Sequence, residues 1–313
     1  MKLMLWFEPE RAIKGTKLVK AHPEWFLSLP DDASTILYYG NEEALNYVCE
    51  TLSYYVKKLD LSCYRQDFNT HLTKYFKEND EENRRGITEI KHIMGMYKMW
   101  DYLLSHFPGL IIDNCASGGR RIDIETLKRS IPFFRSDYQC NFNENSEVLQ
   151  THNTNISCYL PYNGCTSKTK CDRDTYSTRS SYSSSWGGAY YNAIFQSMTE
   201  ENFEWARKTS EEYLKIRHYF TMDFYNHGSC VYDDSSWAIW QYHDYKKDSG
   251  IAMAFRRRNS PFDNVKIELK GVEKNGEYSF LAFDDTRFTA EGKALTIYLP
   301  EKRSSTIIEY TRN

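Results

Sequence analysis

No run of apolar residues in this 313-residue chain approaches the roughly 20 that a membrane-crossing helix requires. That leaves no candidate spanning segment, and no membrane partner is expected. The opening MKLMLWFEPE is too short and too acidic for an export signal. Nor is there a surplus of positive charge. The formal net charge is −3, which removes the electrostatic case for nucleic acid. Neither G-x-G-x-x-G nor a P-loop lysine pattern occurs, so a nucleotide site is disfavoured. Cysteines stand at 49, 63, 115, 140, 158, 165, 171 and 230 without zinc spacing, even where Cys158, Cys165 and Cys171 cluster. Lacking an export signal, these eight are expected to be reduced thiols in a cytoplasmic protein, and no metal is called for. Internal repeats and low-complexity linkers are missing too.

Aromatic side chains are plentiful, at 16% of residues within a hydrophobic total of 41%. That supports a core for one large domain with a small one, and the rings suit either packing or a sugar face. KLMLWF (2–7) reads as a buried strand, followed by the turn EPERAIKGTK. Residues 41–59 carry Leu45, Val48, Leu52, Tyr55 and Val56 at helical spacing behind Asn41 as N-cap. A strand ends at YRQDFN (64–69), a helix spans about 86–105 until Pro108-Gly109, and LIID (110–113) is a short apolar strand. IDIETLKRS reads as helix and IPFFRSD as strand. Alternating β and α with buried strands predicts a parallel sheet. YSTRSSYSSSWGG (176–188) reads as a long loop. From about residue 225, GIAMAFRR, NVKIELKG, EYSFLAF and ALTIYLP predict an antiparallel β module, with DDSSWAIWQYHD as its first strand. The domain division expected is 1–228 and 229–313.

Asp67 interrupts a strand-like run, and aspartate is depleted in strands. Three strand ends carry polar clusters: Arg65 to Asn69, the DNCASGGRRID stretch from 113, and RSDYQ from 135. In parallel α/β folds chemistry gathers at the carboxyl ends of strands. Seventy residues separate Asp67 from Asp137, which fits two βα units and places both carboxylates at alternate strand ends. Paired carboxylates suit glycoside hydrolysis, at a separation of about 5–5.5 Å in retaining enzymes. Arg65 shares a strand face with Asp67 and would keep it ionised. Against this stands a plainer reading, surface ion pairs or helix caps. Gly118 and Gly119 permit close approach of backbone to a ligand, or form a turn before a helix. Trp6 suits stacking on a sugar face or core packing.

LWFEPE with AHPEWF, YRQDFN, DNCASGGRRID and RSDYQ, in this order, resembles the α-galactosidases of glycoside hydrolase family thirty-six. YLKIRHYFTMDFY, WAIWQYHD and AFRRRNSPF resemble the end of that family's barrel and its C-terminal β-domain. The resemblance implies a retaining hydrolase of terminal α-linked galactose, acting on α-galactoside oligosaccharides without a cofactor. It assigns Asp67 as nucleophile and Asp137 as acid/base. Arg65 stands where the family usually has a galactose-binding lysine. Asn69, Cys115 and Gly118 match positions lining the sugar subsite, Cys115 as a ligand-facing thiol, and Lys20 a basic binding position.

The resemblance also implies an α/β fold, a (β/α)8 TIM-type barrel, here apparently lacking its first two βα units, followed by a small antiparallel β-sandwich domain. LWFEPE is normally the third barrel strand, and no counterpart of the family's DDGW-like segment is found. About six barrel strands cannot close an eight-stranded barrel and leave unpaired edges. A fragment, a chain completed by a partner such as a second copy, and a degenerate relative are all open, and weak catalysis by the chain alone is expected. Alternatives in activity are α-N-acetylgalactosaminide hydrolysis, galactosyl transfer, or galactoside binding without catalysis.

Overall fold

LMLWF forms the strand β1 (Leu3–Phe7) in the computed structural model, which describes residues 2–140, 145–166, 173–187, 199–228 and 233–313. The chain divides into two units, Met1–Arg135 and Ser136–Asn313. The first continues through β2 (Arg11–Ile13), α1 (Lys17–Ala21), β3 (Phe26–Ser28), β4 (Ser34–Leu37), α2 (Glu42–Lys58), β5 (Leu61–Gln66), α3 (Thr73–Asn79), α4 (Ile87–His106), β6 (Ile111–Asn114) and α5 (Ile124–Leu127). The parallel sheet expected from the pattern is present, in the order β1-β5-β6. β1 is at its edge and is not the buried strand expected. Leu5 and Phe7 pack on the core, whereas Leu3, Met4 and Trp6 are exposed.

The two long helices follow from local chemistry. Asn41 caps α2 by accepting from the Ala44 N–H at 3.1 Å, and Glu42, Glu43, Lys57 and Lys58 complement its dipole. Its buried stripe, Ala44, Val48, Leu52 and Val56, meets Met96, Met99, Trp100 and Leu103 of α4 in one core. Gly95 lets α4 close on the chain at Tyr39, whose carbonyl would lie 2.2 Å from an added Cβ. IDIETLKRS yields one helical turn, α5, capped by Asp123 and Thr126. IPFFRSD is not a strand. Ile131 makes a single bridge to Asp113, and Pro132 then removes the next ladder donor. The small antiparallel sheet β2-β4-β3 was not foreseen.

In the second unit are α6 (Ser146–Ile156), β7 (Gly164–Thr166), α7 (Thr175–Ser180), β8 (Ser185–Gly187) and α8 (Glu200–Ile216). They are followed by β9 (Asp223–Asn226), β10 (Ala238–Asp244), β11 (Ser249–Arg256), β12 (Asn264–Glu268), β13 (Tyr278–Ala282), β14 (Phe288–Glu291), β15 (Ala294–Tyr298) and β16 (Ser304–Arg312). The late strands make a five-stranded sheet, β13-β16-β11-β10-β9, and a three-stranded sheet, β12-β15-β14, all pairs antiparallel. Period-two alternation explains why β10 and β11 are buried throughout. Trp240, Met253 and Ile307 face the helical side with Tyr213 and Phe220, while Ile239, Ala252 and Ile308 face Ile267, Leu295 and Ile297 of the smaller sheet. The expected division at 228/229 falls between the paired strands β9 and β10. The serine-rich segment is not a loop. Residues 175–180 are helical and 185–187 extended, with Ser177, Ser180, Ser181 and Ser183 buried; residue 188 lies outside the described residues.

Candidate active site

β5 delivers Asp67 to its carboxyl end, where the Asp67 N–H still donates to the Phe7 carbonyl of β1 at 2.8 Å. The side chain is half-buried and gathers donors from three segments. Oδ1 accepts from the backbone N–H groups of Phe68 (2.6 Å) and Ser117 (3.2 Å). Oδ2 accepts from Asn69 Nδ2 (3.0 Å) and Trp6 Nε1 (3.2 Å). The Cys115 thiol donates to the same carboxylate. Burial alone would raise the Asp67 pKa, but the donors, led by Asn69 and Cys115, outweigh it and hold the group at about 2. Asp67 is therefore an ionised, hydrogen-bonded carboxylate at neutral pH.

The Ser117 donor depends on local backbone. Ser117 and Gly118 have φ of +49° and +79°, a left-handed pair that turns the Ser117 N–H toward Asp67. Gly119 has no room for a side chain, since an added Cβ would lie 2.5 Å from the Arg135 carbonyl. Beside this turn a shallow depression is lined by Asn69, Thr70, His71, Ser117 and Arg120.

Arg65 is engaged differently from expectation. In the β5–β6 register it faces Asp113, and its guanidinium is ion-paired with that buried carboxylate. Burial pushes Asp113 up, Arg65 opposes this, and the Phe133 N–H donates to it at 2.9 Å. Hydrogen bonds, rather than a neighbouring cation, are thus the main source of Asp67's acidity. Cys115 is 2% exposed, and burial pushes its thiol up to about 12, with donation to Asp67 adding to the shift. It is a protonated donor, not a nucleophile. Trp6 is 51% exposed, so much of its ring is open while its indole N–H donates to Asp67.

Lys20, in the last turn of α1, is exposed and shares no hydrogen bond or ion pair with the Asp67 cluster among the described residues. Asp137 lies in the second unit, exposed, at the start of a 3-10 turn over Asp137–Cys140. Cys49, Cys63, Cys115 and Cys158 are free thiols, and Cys171 and Cys230 lie outside the described residues. Among the described residues no group of three or more His, Cys, Asp or Glu could hold a metal ion, and no helix is long and apolar enough to cross a membrane.

The sequence reading missed the residues beneath the site. Glu10 is fully buried and accepts from Arg121 (2.7 and 2.6 Å), Gln66 Nε2 (2.7 Å) and His92 Nε2 (3.0 Å). Burial would raise its pKa, but Arg121 and His92 bring it down to about 2. Glu8 was missed as well. It receives the Asn69 N–H at 3.0 Å and pairs with Arg11. The signal available was the second glutamate of FEPE together with the GGRR arginines.

The family model described as Melibiase matches residues 1–150. Alpha-galactosidase 1 of Pediococcus pentosaceus is 22% identical over 295 residues, covering 90% of this chain and 39% of that protein. The crystal structure of the alpha-galactosidase from Lactobacillus brevis aligns with a TM-score of 0.77 at 18% identity, over 100% of this chain and 44% of that one. A variant of the GH36 alpha-galactosidase AgaA from Geobacillus stearothermophilus, in complex with raffinose, aligns at 0.74 and 18% identity, over 100% and 45%. The chain spans less than half the length of each of these proteins. The resemblance to family thirty-six α-galactosidases is borne out, and the chain has the mixed α/β fold of the GH36 structures.

Proposed function

We propose that this chain carries the catalytic segment of a retaining α-galactosidase, with Asp67 as nucleophile and Asp137 as acid/base. The observation that carries this reading is the state of Asp67: ionised, half-exposed, and held by convergent donors at a strand end beside the partly open ring of Trp6. Oδ1 is tied to two backbone N–H groups, so the attack falls to Oδ2, whose partners are side chains that can shift. Oδ2 bonds to the anomeric carbon of a terminal α-galactoside as the glycosidic bond breaks, and Asp137 gives its proton to the departing oxygen. Asp137 then takes a proton from water, the resulting hydroxide equivalent displaces Asp67, and galactose leaves with its configuration retained.

Raffinose and stachyose, found with AgaA variants from Geobacillus stearothermophilus, support terminal α-galactosyl oligosaccharides as the substrate class. Trp6, Lys20, Arg65, Asn69, Cys115 and Gly118 are assigned to sugar binding, and no cofactor takes part. The sheet β1-β5-β6 is assigned to a (β/α)8 barrel with β1 at the position of its third strand. The two late sheets, sharing one core, are assigned to a β-sandwich domain that begins at residue 229 apart from the edge strand β9. A cytoplasmic setting completes the proposal.

The test compares p-nitrophenyl α-galactoside with raffinose. Asp67→Ala should lower turnover of both on the order of a thousandfold or more. Asp137→Ala should lower raffinose turnover by about 10²–10⁴-fold while sparing the first step on the activated aryl galactoside. Equal losses on both substrates for Asp137→Ala would remove its acid/base role.

A further inference from the structure

Glu10 and Arg121 do not touch Asp67, yet they hold the residues on either side of it. The Glu10 carboxylate accepts from the Gln66 side chain at 2.7 Å, and Gln66 immediately precedes Asp67. The Arg121 guanidinium, bound to both oxygens of Glu10, lies 4.9 Å from the ring centroid of Phe68, which immediately follows. The same arginine closes the loop that supplies the other donors. Its carbonyl accepts from Asn114 Nδ2 at 2.7 Å, and the Cys115 N–H donates to the Gln66 carbonyl at 2.8 Å. Between these anchors, the loop presents the Cys115 thiol and the Ser117 N–H to Asp67.

The network continues below Glu10. The Tyr39 N–H donates to His92 Nδ1 (3.3 Å), so the ring's proton sits on Nε2 and is given to Glu10. The Gln66 Oε1 accepts from Tyr64 (2.9 Å) and Trp100 (2.6 Å). A buried carboxylate with four donors, two of them from one arginine, has one geometry, and it fixes whatever is attached to it.

We infer that Glu10 and Arg121 form a buried clamp of positioning residues that sets the Asp67 carboxylate against its donor loop. The inference rests on the proposed role of Asp67 only for its catalytic meaning; the clamp itself is testable without a substrate. The measurement is the alkylation rate of Cys115, Cys49 and Cys63 in the full chain, read peptide by peptide by mass spectrometry. All three thiols are buried, so each rate reports local opening.

Glu10→Gln should accelerate Cys115 about tenfold or more while Cys49 and Cys63 change by less than about twofold. Because this variant leaves a buried arginine without its carboxylate, Glu10→Gln/Arg121→Met is the second test. It removes both charges and relieves that burial penalty, but keeps no clamp. A folded double variant with selective Cys115 acceleration supports the clamp. A Cys115 rate equal to the parent's, or a parallel rise at all three thiols, overturns it. Protection of Cys115 by galactose in the parent chain is a separate readout. Its absence, with the variant-to-parent ratio intact, would count against the galactoside reading and leave the clamp standing.

Discussion

The two units bury charge in different ways. In the first, the buried carboxylates Glu10 and Asp113 are paired with the partly buried Arg121 and Arg65, within or just beyond the carboxyl ends of parallel strands, and next to them Asp67 stays half-exposed. In the second, Arg179 is buried and donates to Glu212 (2.9 and 2.6 Å), Asp284 (2.7 Å) and the Ser305 carbonyl (2.9 Å). It thereby ties α7 to α8 and to β16. Arg257 likewise reaches Gln150 and the Asp233 carbonyl. Buried charge in the second unit joins element to element. In the first it surrounds one carboxylate that a ligand can still reach. A buried ion pair therefore points to function through what it supports, and not through its burial.

The largest expected effect that could break this contrast is catalytic. Asp67→Asn should reduce galactoside turnover on the order of a thousandfold or more while leaving the circular dichroism spectrum of the chain unchanged. A mild loss would put Asp67 among structural carboxylates like those around Arg179. Next, Arg179→Met should lower stability by about 3 kcal/mol in urea unfolding, because Glu212 and Asp284 lose their shared partner. It should leave Cys115 labelling at the parent rate, and faster labelling there would show that the two regions are not separable.

Acid unfolding sharpens the comparison further. Glu10 ionises at about 2 in the folded chain and near its ordinary value of 4.5 when unfolded. Its contribution is thus complete above the unfolded value and is lost as pH falls through about 2. Glu10→Gln should be less stable than the parent at neutral pH, with the gap closing toward pH 2, and the Arg179→Met gap should also narrow in acid as Asp284, which Arg179 helps hold below its ordinary value, takes up its proton. The smallest effect is expected from Trp6→Phe. It removes one donor to Oδ2, so the acid limb of turnover moves slightly to higher pH, and at this exposed position stability changes by less than about 0.5 kcal/mol.

Much of this was legible in the chain itself. Asn41 and the apolar spacing behind it mark α2, Pro108-Gly109 marks the end of α4, and the strand ending before Asp67 stands where YRQDFN placed it. The errors have physical causes. The strands of the β2-β4-β3 sheet are three or four residues long, too short for a period to show. The serines after Tyr176 read as a loop by composition. Instead Ser177 pairs with Ser146 and Ser180 with Gln150, so hydroxyls are buried by partners about 30 residues away. Arg65 was read with Asp67, two residues on, because its cross-strand partner Asp113 depends on register. Glu10 fell within the turn EPERAIKGTK, and nothing near it in sequence announces Arg121, 111 residues distant.

The central claim is that Asp67 forms the covalent bond to galactose. It is tested most directly by incubating the full chain with a slowly hydrolysed fluorinated α-galactosyl fluoride, digesting it, and locating the adduct by mass spectrometry. The account predicts a single added fluorogalactosyl group on the peptide containing Asp67, absent from Asp67→Asn. An adduct on Asp137 or Asp113, or no adduct on any carboxylate, would contradict it.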